Sequence, residues 1–361
     1  MTESPPRTWA EIDLSALSHN LRVARERSGK DVMAVIKGGA YGHGLEEIAR
    51  ALEHENLPHL GVANAGEARR LFHAGIKTKP YILGATLPAE REEIAGRQWT
   101  PCLCSFDEVE HFNSLGQTTP VEAHLALDTG MGRGGFLPHQ LGAALEKISA
   151  ASGIKLTGVG SHLPVADEDP DFTSKQFERF DSLVESIPNR PEGFQVHLSN
   201  SAGLLDFQSR TTNLVRPGLL LYGISPIPSH QELLIPVMTF KSRVSVVNHL
   251  PAGHGVSYGR TILQRDTKAA VIGLGYGDGY PRSLSGKDTR ILINGRSCPL
   301  LGRVTMDQII VDVTDLTSCQ PGDEAELFGP NLLVSDLARK AGTIPWEILT
   351  QITPRVTRVY R

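Results

Sequence analysis

The sequence predicts an α/β protein in which an N-terminal (β/α)8 TIM-type barrel precedes a C-terminal, mainly antiparallel β domain. From residue 31 onward, eight short apolar runs alternate with longer amphipathic segments of helical periodicity, and this rhythm indicates a parallel sheet. Eight such units favour a barrel, although an open doubly wound sheet has the same periodicity. After a Pro- and Ser-rich stretch at 224–232, β-rich segments separated by turns follow instead. We therefore expect two domains joined by a linker.

The individual elements follow from local patterns. Residues 8–13 alternate like a strand, and residues 14–28 have helical spacing until Gly29 ends the helix. The candidate barrel strands are 31–37, 59–64, 80–84, 101–104, 122–128, 156–162, 195–200 and 213–216. The later β segments are 237–247, 269–274, 289–293, 308–313 and 325–328, with helices predicted at 334–341 and 345–352. We expect the barrel to span 13–225 and the second domain to span 226–361 together with the N-terminal strand 1–12.

Composition favours work on a small molecule. The 361 residues include 36 basic and 40 acidic side chains, and the net charge of -4 gives no basic surface for nucleic acid or an anionic membrane. Residues 1–6 lack the features of a secretory leader, and no run is long enough to span a membrane, so we expect a cytoplasmic protein. Four irregularly spaced cysteines predict neither a disulfide framework nor a zinc site.

The first apolar run ends on Lys37 and opens into the glycine-rich segment 38–44. A partly buried lysine is unfavourable unless it is paired or its pKa is lowered, and a lowered pKa is what a Schiff-base lysine needs. The glycines permit a close approach of the backbone to a ligand. Taken alone, this stretch is equally compatible with a strand-end lysine that reaches into solvent.

Polar side chains of chemically useful types recur at the ends of the other runs. They are Tyr41, Asp128, Arg133, His162, His197, Asn200, Ser201 and Arg216. In a barrel, all of these strand ends meet at one rim, where active sites of this fold are built. An arginine at an apolar strand end, such as Arg216, needs a partner.

Other motifs are less specific. The loop 128–133 suits a phosphate, a phenolate or a carboxylate, but it could also be a solvated turn. Tyr258 lies between glycines in a segment that could be an ordinary hairpin loop. Residues 275–281 do not match a dinucleotide-binding motif, and Pro58 breaks the helix that a zincin motif over 54–59 would require.

Together, these segments resemble the alanine racemase family, whose members depend on pyridoxal 5'-phosphate. The resemblance is carried by 37–44, by 237–260 and by Val304-Thr305-Met306-Asp307, in the order in which the family has them. It implies a barrel, a β domain and a homodimer in which each subunit completes the active site of its partner.

The resemblance also implies roles for individual residues. Lys37 would form the internal aldimine with the cofactor and transfer a proton on one face of the substrate, and Tyr258 of the partner subunit would do so on the other. The implied phosphate-binding group is Tyr41, Ser201 and the backbone of Gly218 and Leu219, with Asn200 among the cofactor-binding residues. Arg216, supported by His197, would face the pyridine nitrogen and leave it unprotonated, because an arginine does not readily give up its proton.

Four further residues complete the implied site. His162 would connect to the Tyr258 hydroxyl and help to lower its pKa. Arg133 would contact the cofactor phenolate and the substrate carboxylate, assisted by the Met306 N–H. Tyr280 of the partner subunit would narrow the entrance.

The chain departs from the family pattern at three positions. Ala126 stands where many members have a carbamylated lysine, which leaves Arg133 without that anionic partner; a chloride ion or a water molecule could take the place. Gly39 replaces a usual asparagine, and Trp346 replaces a usual tyrosine near the phosphate. We expect Ala126 or Trp346 to affect activity or substrate range.

The implied function is the interconversion of L- and D-alanine by two-base proton transfer on the external aldimine, for D-alanine used in peptidoglycan. A serine or broad-specificity racemase of the same fold is the alternative within the class. A related decarboxylase is disfavoured by Arg216, and a hydrolase by the lack of paired carboxylates at the rim. From another class, a non-catalytic regulatory barrel that binds pyridoxal phosphate is an alternative, against which the β domain with Tyr258 argues.

Overall fold

A computed structural model describes residues 6–361, which form two compact units. One unit comprises residues 18–40 and 44–234; the other comprises the chain up to Leu17, residues 41–43 and residues 235–361. The boundary predicted at 225/226 lies nine residues before the observed division at 234/235. Residues 1–5, on which part of the predicted N-terminal strand and the prediction about a leader fall, lie outside the described residues.

The described chain begins with strand β1 (Thr8–Ile12) and the helix Leu14–Ser28. Nine parallel strands of the first unit follow: β2 (Asp31–Val32), β3 (Ala34–Val35), β4 (Leu60–Val62), β5 (Pro80–Ile82), β6 (Thr100–Leu103), β7 (Val121–Ala126), β8 (Ile154–Gly160), β9 (Gln195–His197) and β10 (Leu214–Val215). Their order in the sheet is β2-β10-β9-β8-β7-β6-β5-β4-β3. Because β2 and β3 are consecutive in the chain, both edges of the sheet meet in one segment.

This first segment closes the barrel. The N–H groups of Met33 and Val35 donate to the carbonyls of Val215 (2.9 Å) and Pro217 (3.0 Å) on one side. On the other side, β3 pairs with β4, and the N–H of Ile36 donates to Gly61 O at 2.9 Å. The predicted strand 31–37 is therefore two short strands separated by Met33. Together they occupy the position of one strand in the barrel. The barrel prediction is confirmed, and the open sheet is wrong.

The helices between the strands alternate with them as the periodicity indicates. They are Leu45–Leu52, Ala65–His73, Pro88–Gly96, Phe106–Leu115, Leu141–Ser149, Pro170–Glu185 and Ser201–Asp206. Several begin at side-chain caps that satisfy free N–H groups of the first turn. Asn64, Ser105 and Asp169 each accept a hydrogen bond from the N–H three residues later. These caps place each helix start directly after a loop at the carboxyl end of a strand.

The second unit is built mainly on antiparallel strands, as predicted. They are β11 (Met238–Leu250), β12 (Gly255–Val256), β13 (Thr261–Ile262), β14 (Thr267–Ile272), β15 (Arg290–Ile293), β16 (Arg296–Leu301), β17 (Ile309–Asp312), β18 (Glu324–Phe328) and β19 (Thr357–Tyr360). Strands β14-β17-β16-β15-β18-β11 form a closed ring, because β14 also pairs with β11. β1 pairs antiparallel with β11 and parallel with β19.

Two helices of the second unit lie at Val334–Ala341 and Pro345–Thr350. The first matches its prediction, and the second ends slightly earlier than predicted. The predicted linker contains a short 3-10 helix, Pro228–Leu233, in which a proline occupies the first turn, where its missing N–H is not needed. Among the helices of residues 6–361, none has both the length and the apolar character that crossing a bilayer demands.

Candidate active site

Lys37 lies at the carboxyl end of the first barrel strand and begins a left-handed turn. The φ angles of Gly38, Gly39, Ala40 and Tyr41 are 65°, 62°, 56° and 52°. Glycine adopts this conformation freely, but each L-residue with a Cβ pays roughly 1–2 kcal/mol. Strain of this kind persists only where the surroundings fix the backbone, and it is typical of functional sites. The two glycines after Lys37 thus let the strand turn sharply at the rim.

Glu67 holds this turn, a role that was not among the predictions from the sequence. Its carboxylate accepts hydrogen bonds from the N–H of Gly39 (3.1 Å) and from the N–H of Ala63 (2.9 Å). The N–H of Glu67 donates in turn to the side chain of the helix cap Asn64 at 3.1 Å. The spacing of Asn64 and Glu67 is that of a capping box, which was the available signal in the sequence. The departure at Gly39 fits the same turn, because its φ is one that asparagine also tolerates.

The Lys37 amine is half-buried and lies among cations. Within residues 6–361, its side chain has no hydrogen bond and no salt bridge. Burial is the main cause that lowers its pKa below the usual 10.5, followed by the positive charges of Arg133 and Arg216, whereas Glu67 acts in the opposite direction. A lowered pKa increases the share of neutral amine, which is the nucleophilic form. Burial and the neighbouring arginines thus provide the lowered pKa of Lys37 that the sequence only suggested.

Arg216 follows β10 directly and is buried, with 6% of its surface exposed. Nη1 donates to His197 Nδ1 at 2.5 Å. Nη2 donates to the carbonyls of Ser161 (2.6 Å) and Leu198 (3.3 Å) and lies 3.2 Å from His162 Nδ1. These contacts provide the partners that an arginine at an apolar strand end needs. The two carbonyls were not predictable from the sequence, because any residue type supplies one.

Both histidines beside Arg216 are held neutral. Burial lowers the pKa of His162 to about 3, with further lowering by Arg216, Arg133 and Lys37. The pKa of His197 is also lowered well below its ordinary value, first by complete burial and then by Arg216. Because Arg216 only donates, each histidine presents an unprotonated Nδ1 to it. His162 therefore carries its proton on Nε2.

Arg133 lies at the end of a loop that is shaped by Asp128. The Asp128 carboxylate accepts three backbone hydrogen bonds, from the N–H groups of Gly130 (2.9 Å), Met131 (2.9 Å) and Gly132 (2.8 Å). The loop is thus an ordered turn even though Arg133 itself is exposed. In the described part of the chain, the Arg133 side chain has no hydrogen bond and no salt bridge.

The position of the missing lysine, Ala126, lies in the barrel interior. Ala126 is 7% exposed and packs in a cluster with Met33, Tyr81, Cys102 and Leu214. These neighbours are apolar or weakly polar. None of them is a cation that could pair with an anionic side chain at position 126. The absence of a lysine and the absence of a partner for Arg133 within residues 6–361 are consistent with each other.

The hydroxyl oxygen of Ser201 accepts from the N–H of Gly218 (3.0 Å) and from the N–H of Leu220 (3.2 Å), which leaves its O–H to donate. Leu219 begins a 3-10 helix, so its N–H has no partner within that helix. Asn200 caps the helix Ser201–Asp206: its side chain accepts from Gly203 N–H at 3.0 Å and donates to the Leu163 carbonyl at 3.2 Å. Ser201 and Leu219 thus offer donors to an anion, whereas Asn200 is engaged in structure.

The remaining predicted residues belong to the second unit. Tyr258, between β12 and β13, is 73% exposed, and Met306, between β16 and β17, is 53% exposed. Tyr41 is buried, and Trp346 in the helix Pro345–Thr350 is half-buried.

Tyr280 has no exposed surface, and burial raises the pKa of its hydroxyl. A fully buried phenol cannot line the entrance to the active site of a partner subunit. The role predicted for Tyr280 is therefore corrected. Tyr276 in the same loop is 41% exposed and has the required accessibility. The sequence offered both tyrosines, and only burial distinguishes them.

The residues at the barrel rim fit an anionic aldehyde cofactor. Lys37, Arg133, Arg216 and His162 act on one another electrostatically, with Glu67 the acidic group that opposes them at Lys37. The Ser201 hydroxyl and the Leu219 N–H suit a phosphate, guanidinium groups suit a phenolate, and an uncharged amine suits an aldehyde. The donor set of this rim therefore matches pyridoxal phosphate.

Comparison with known proteins agrees with this chemistry. Residues 12–226 match the model of the alanine racemase N-terminal domain, and residues 237–360 match that of the C-terminal domain. An alanine racemase of Methylacidiphilum infernorum is 39% identical over 367 residues, covering 99% of this chain and 93% of that protein. The crystal structure of the biosynthetic alanine racemase of Pseudomonas aeruginosa superimposes with a TM-score of 0.90 at 31% identity, covering 99% of this chain and 100% of that one.

A third relative carries the cofactor. The alanine racemase of Bartonella henselae, solved with covalently bound pyridoxal phosphate, has a TM-score of 0.90 and 30% identity, with 99% of this chain and 100% of that chain covered. Similarity over the full length, in both domains and in the same order, is much more specific than any single motif. The chain belongs to the alanine racemase family.

Proposed function

We propose that this protein interconverts L- and D-alanine with pyridoxal phosphate, using Lys37 and Tyr258 of the partner subunit as its two proton-transfer groups. The observation that carries the proposal is the half-buried Lys37 amine, whose pKa is lowered by burial and by Arg133 and Arg216. Bound pyridoxal phosphate supplies an electron sink that makes the α-proton of an attached amino acid acidic. The residues of this chain then determine where that proton goes.

Racemisation requires that the α-proton leave from one face and that a proton return on the opposite face. Two groups on opposite sides are sufficient for this. In our proposal, Lys37 serves one face. Tyr258 of the partner subunit serves the other, and the high exposure of Tyr258 in the single chain leaves it accessible for this role.

Arg216 sets the reaction type. Because a guanidinium does not readily give up its proton, Arg216 would leave the pyridine nitrogen of a bound cofactor unprotonated and would thereby weaken the electron sink. A weaker sink favours simple proton transfer over decarboxylation and transamination. Arg133 would hold the substrate carboxylate with help from the Met306 N–H, and its lack of a partner within residues 6–361 leaves its donors available.

The roles in the second unit require a homodimer, which we propose together with a cytoplasmic location and a contribution of D-alanine to peptidoglycan. Tyr258, Met306 and Tyr276 are large, exposed side chains of that unit, as residues that contact a partner subunit would be in a single chain. Tyr276 would narrow the entrance, in place of Tyr280. The proposed domain limits remain 13–225 for the cofactor-binding barrel and 226–361 with residues 1–12 for the β domain.

The test uses the purified protein and three variants. The wild type should have a yellow chromophore that borohydride discharges, and it should exchange the Cα proton of both L- and D-alanine with deuterated solvent. Lys37→Ala should lose colour and exchange, whereas Tyr258→Phe should keep the colour and lose exchange mainly from one enantiomer. Lys287→Ala, which changes an exposed lysine of the second unit, is the matched control and should retain both.

A panel of amino acids separates the alternatives. Exchange that is faster with serine or larger amino acids than with alanine would contradict the alanine assignment and favour a broad-specificity racemase. A yellow protein that exchanges the Cα proton of no amino acid in the panel would favour a non-catalytic carrier of pyridoxal phosphate.

A further inference from the structure

A chain of buried side chains runs inward from Arg216 through the barrel core. His197 Nδ1 lies 2.5 Å from Arg216 Nη1, and His197 Nε2 lies 2.9 Å from His124 Nδ1. His197 and His124 are 2% and 1% exposed. His124 was not among the residues implied by the sequence, because it lies in the middle of β7 rather than at its end.

The chemistry of arginine fixes the proton positions along this chain. A guanidinium is always protonated and has no acceptor, so His197 Nδ1 must be bare. His197 then carries its proton on Nε2 and donates it to His124 Nδ1. His124 Nδ1 must be bare as well, so the proton of His124 lies on its Nε2. Arg216 therefore donates a hydrogen bond to His197, and His197 donates one to His124. If both rings are neutral, no other arrangement of the protons is possible.

Protonated rings are excluded by electrostatics. The pKa of His197 is lowered well below 6.5 by burial, by Arg216 and by the neighbouring histidines, and the pKa of His124 is lowered in the same way by burial and by nearby cationic groups. A second cation 2.5 Å from a buried guanidinium would be strongly repelled. Both rings are thus neutral, which leaves the tautomer as the only variable.

Two glycines of β8 make room for the two rings. β8 lies between β7 and β9, and the register pairs Gly158 with His124 and Gly160 with His197. A Cβ built on Gly158 would lie 2.8 Å from His124 Nδ1, and one built on Gly160 would lie 2.3 Å from His197 Nδ1. Residues two apart on a strand face the same side, so the pair of glycines opens one continuous space inside the barrel. The local sequence is thus adapted to a contact between the two histidines.

We propose that His124 is a positioning residue for Arg216: by accepting a hydrogen bond from the Nε2–H of His197, it keeps His197 Nδ1 available as an acceptor and thereby fixes the guanidinium. Among the described residues His124 Nε2 has no partner, so the network ends on one buried, unsatisfied N–H. Without His124, the unsatisfied N–H would instead be that of His197, next to Arg216, at a cost of about 1–3 kcal/mol. The ring could relieve that cost by moving its proton to Nδ1, where an N–H would face the N–H of Arg216. The guanidinium would then have to shift.

The consequence for catalysis rests on the proposed function, in which Arg216 faces the pyridine nitrogen. The proton positions on the two histidines do not depend on that function. Nuclear magnetic resonance of 15N-labelled histidine rings distinguishes protonated from bare ring nitrogens in the full-length protein with pyridoxal phosphate bound. Signals of His197 and His124 are assigned by comparison with His197→Gln and His124→Gln. In the wild type, we expect both rings to be neutral with the proton on Nε2.

His124→Phe removes the acceptor and keeps an aromatic ring. We expect His197 to lose its single tautomer and kcat for alanine to fall about tenfold, with KM changed by less than about twofold, because the loss of one buried hydrogen bond is transmitted through Arg216. His124→Gln, whose side-chain oxygen can accept from His197, should recover the tautomer and most of kcat. His59→Phe is the matched control, since the His59 ring contacts His124 at a centroid distance of 5.7 Å but has no hydrogen bond to His197.

The outcomes separate the inference from the proposed function. A wild-type His197 with its proton on Nδ1, or on both nitrogens, would overturn the inference, and so would a His124→Phe protein with an unchanged tautomer and unchanged kcat. If His124→Phe does not fold, the wild-type tautomers and His124→Gln still decide. The expected tautomers in a protein without any exchange of alanine would support the inference and contradict the proposed function.

Discussion

Two arginines at the same rim of the barrel, Arg216 and Arg133, have opposite surroundings. Arg216 is 6% exposed and donates to His197 Nδ1 and to the carbonyls of Ser161 and Leu198. Arg133 is exposed, and within residues 6–361 it has no partner. The difference in burial and in hydrogen bonding shows that arginine serves two purposes at this rim. The buried arginine is held by contacts within the barrel, whereas the exposed arginine leaves its donors available to a ligand.

The largest effect should follow from Arg216→Met, which keeps side-chain bulk but removes every donor. Bonds from a charged donor contribute about 1.5–3 kcal/mol each, and the acceptors left behind remain buried, so we expect the free energy of unfolding to fall by about 3 kcal/mol. Racemisation should fall at least about a hundredfold, or 2.7 kcal/mol at 1.36 kcal/mol per factor of ten.

Urea unfolding of the cofactor-free protein measures the first effect, and polarimetry measures the second. Unchanged stability in Arg216→Met would show that its contacts do not contribute to the fold, and the comparison with Arg133 would fail.

Arg133→Met should separate activity from stability. The side chain is exposed and without a partner in the described chain, so we expect the free energy of unfolding to change by less than about 0.5 kcal/mol. If Arg133 holds the substrate carboxylate, kcat/KM for alanine should fall about a hundredfold, as expected for a lost charge-assisted pair. A destabilisation similar to that of Arg216→Met, in the same urea experiment, would contradict the assignment of Arg133 to ligand binding alone.

The smallest effect concerns His162, whose pKa in the folded protein is lowered to about 3 by burial and by both arginines. Between about pH 3 and 6.5, the unfolded chain binds a proton at this residue that the folded protein does not bind. The free energy of unfolding therefore rises with pH through this window. His162→Gln removes this proton, so the slope should decrease by up to about 1.4 kcal/mol per pH unit.

Unfolding in urea at several pH values between 4 and 6.5 measures this slope for the two proteins. His139→Gln provides a control outside the group around Arg216. Equal slopes in wild type and His162→Gln would show that His162 titrates normally in the folded state and that Arg216 does not act on it.

Much of the fold could be predicted because the strands and helices carry distinct periodicities. The helix Leu14–Ser28 and the helix Val334–Ala341 begin and end where the pattern indicates. Closure of the barrel could not be predicted, because it depends on Met33, Val35 and Ile36 pairing with both neighbouring strands. Hydrogen bonds between distant residues leave no trace in local hydropathy.

The site divides in the same way. That Lys37, His162, His197 and Arg216 come together was predictable, because polar residues at the ends of apolar runs meet at one rim of a barrel. Their roles in the site stay predictions. Tyr280 was predicted for a role that its complete burial rules out, and Tyr276 was passed over. Burial depends on packing among segments far apart in sequence, so two similar tyrosines in one loop could not be told apart.

The sequence by itself determined which chemical groups this protein has and which strand each of them ends, because strand periodicity and residue type are local properties. Only the tertiary structure decided how those groups act on one another. The lowered pKa of Lys37, the neutral state of His162 and the fixed guanidinium of Arg216 arise from burial and from charges brought together at the barrel rim. Low dielectric surroundings and short distances between residues remote in sequence exist only after the barrel has closed.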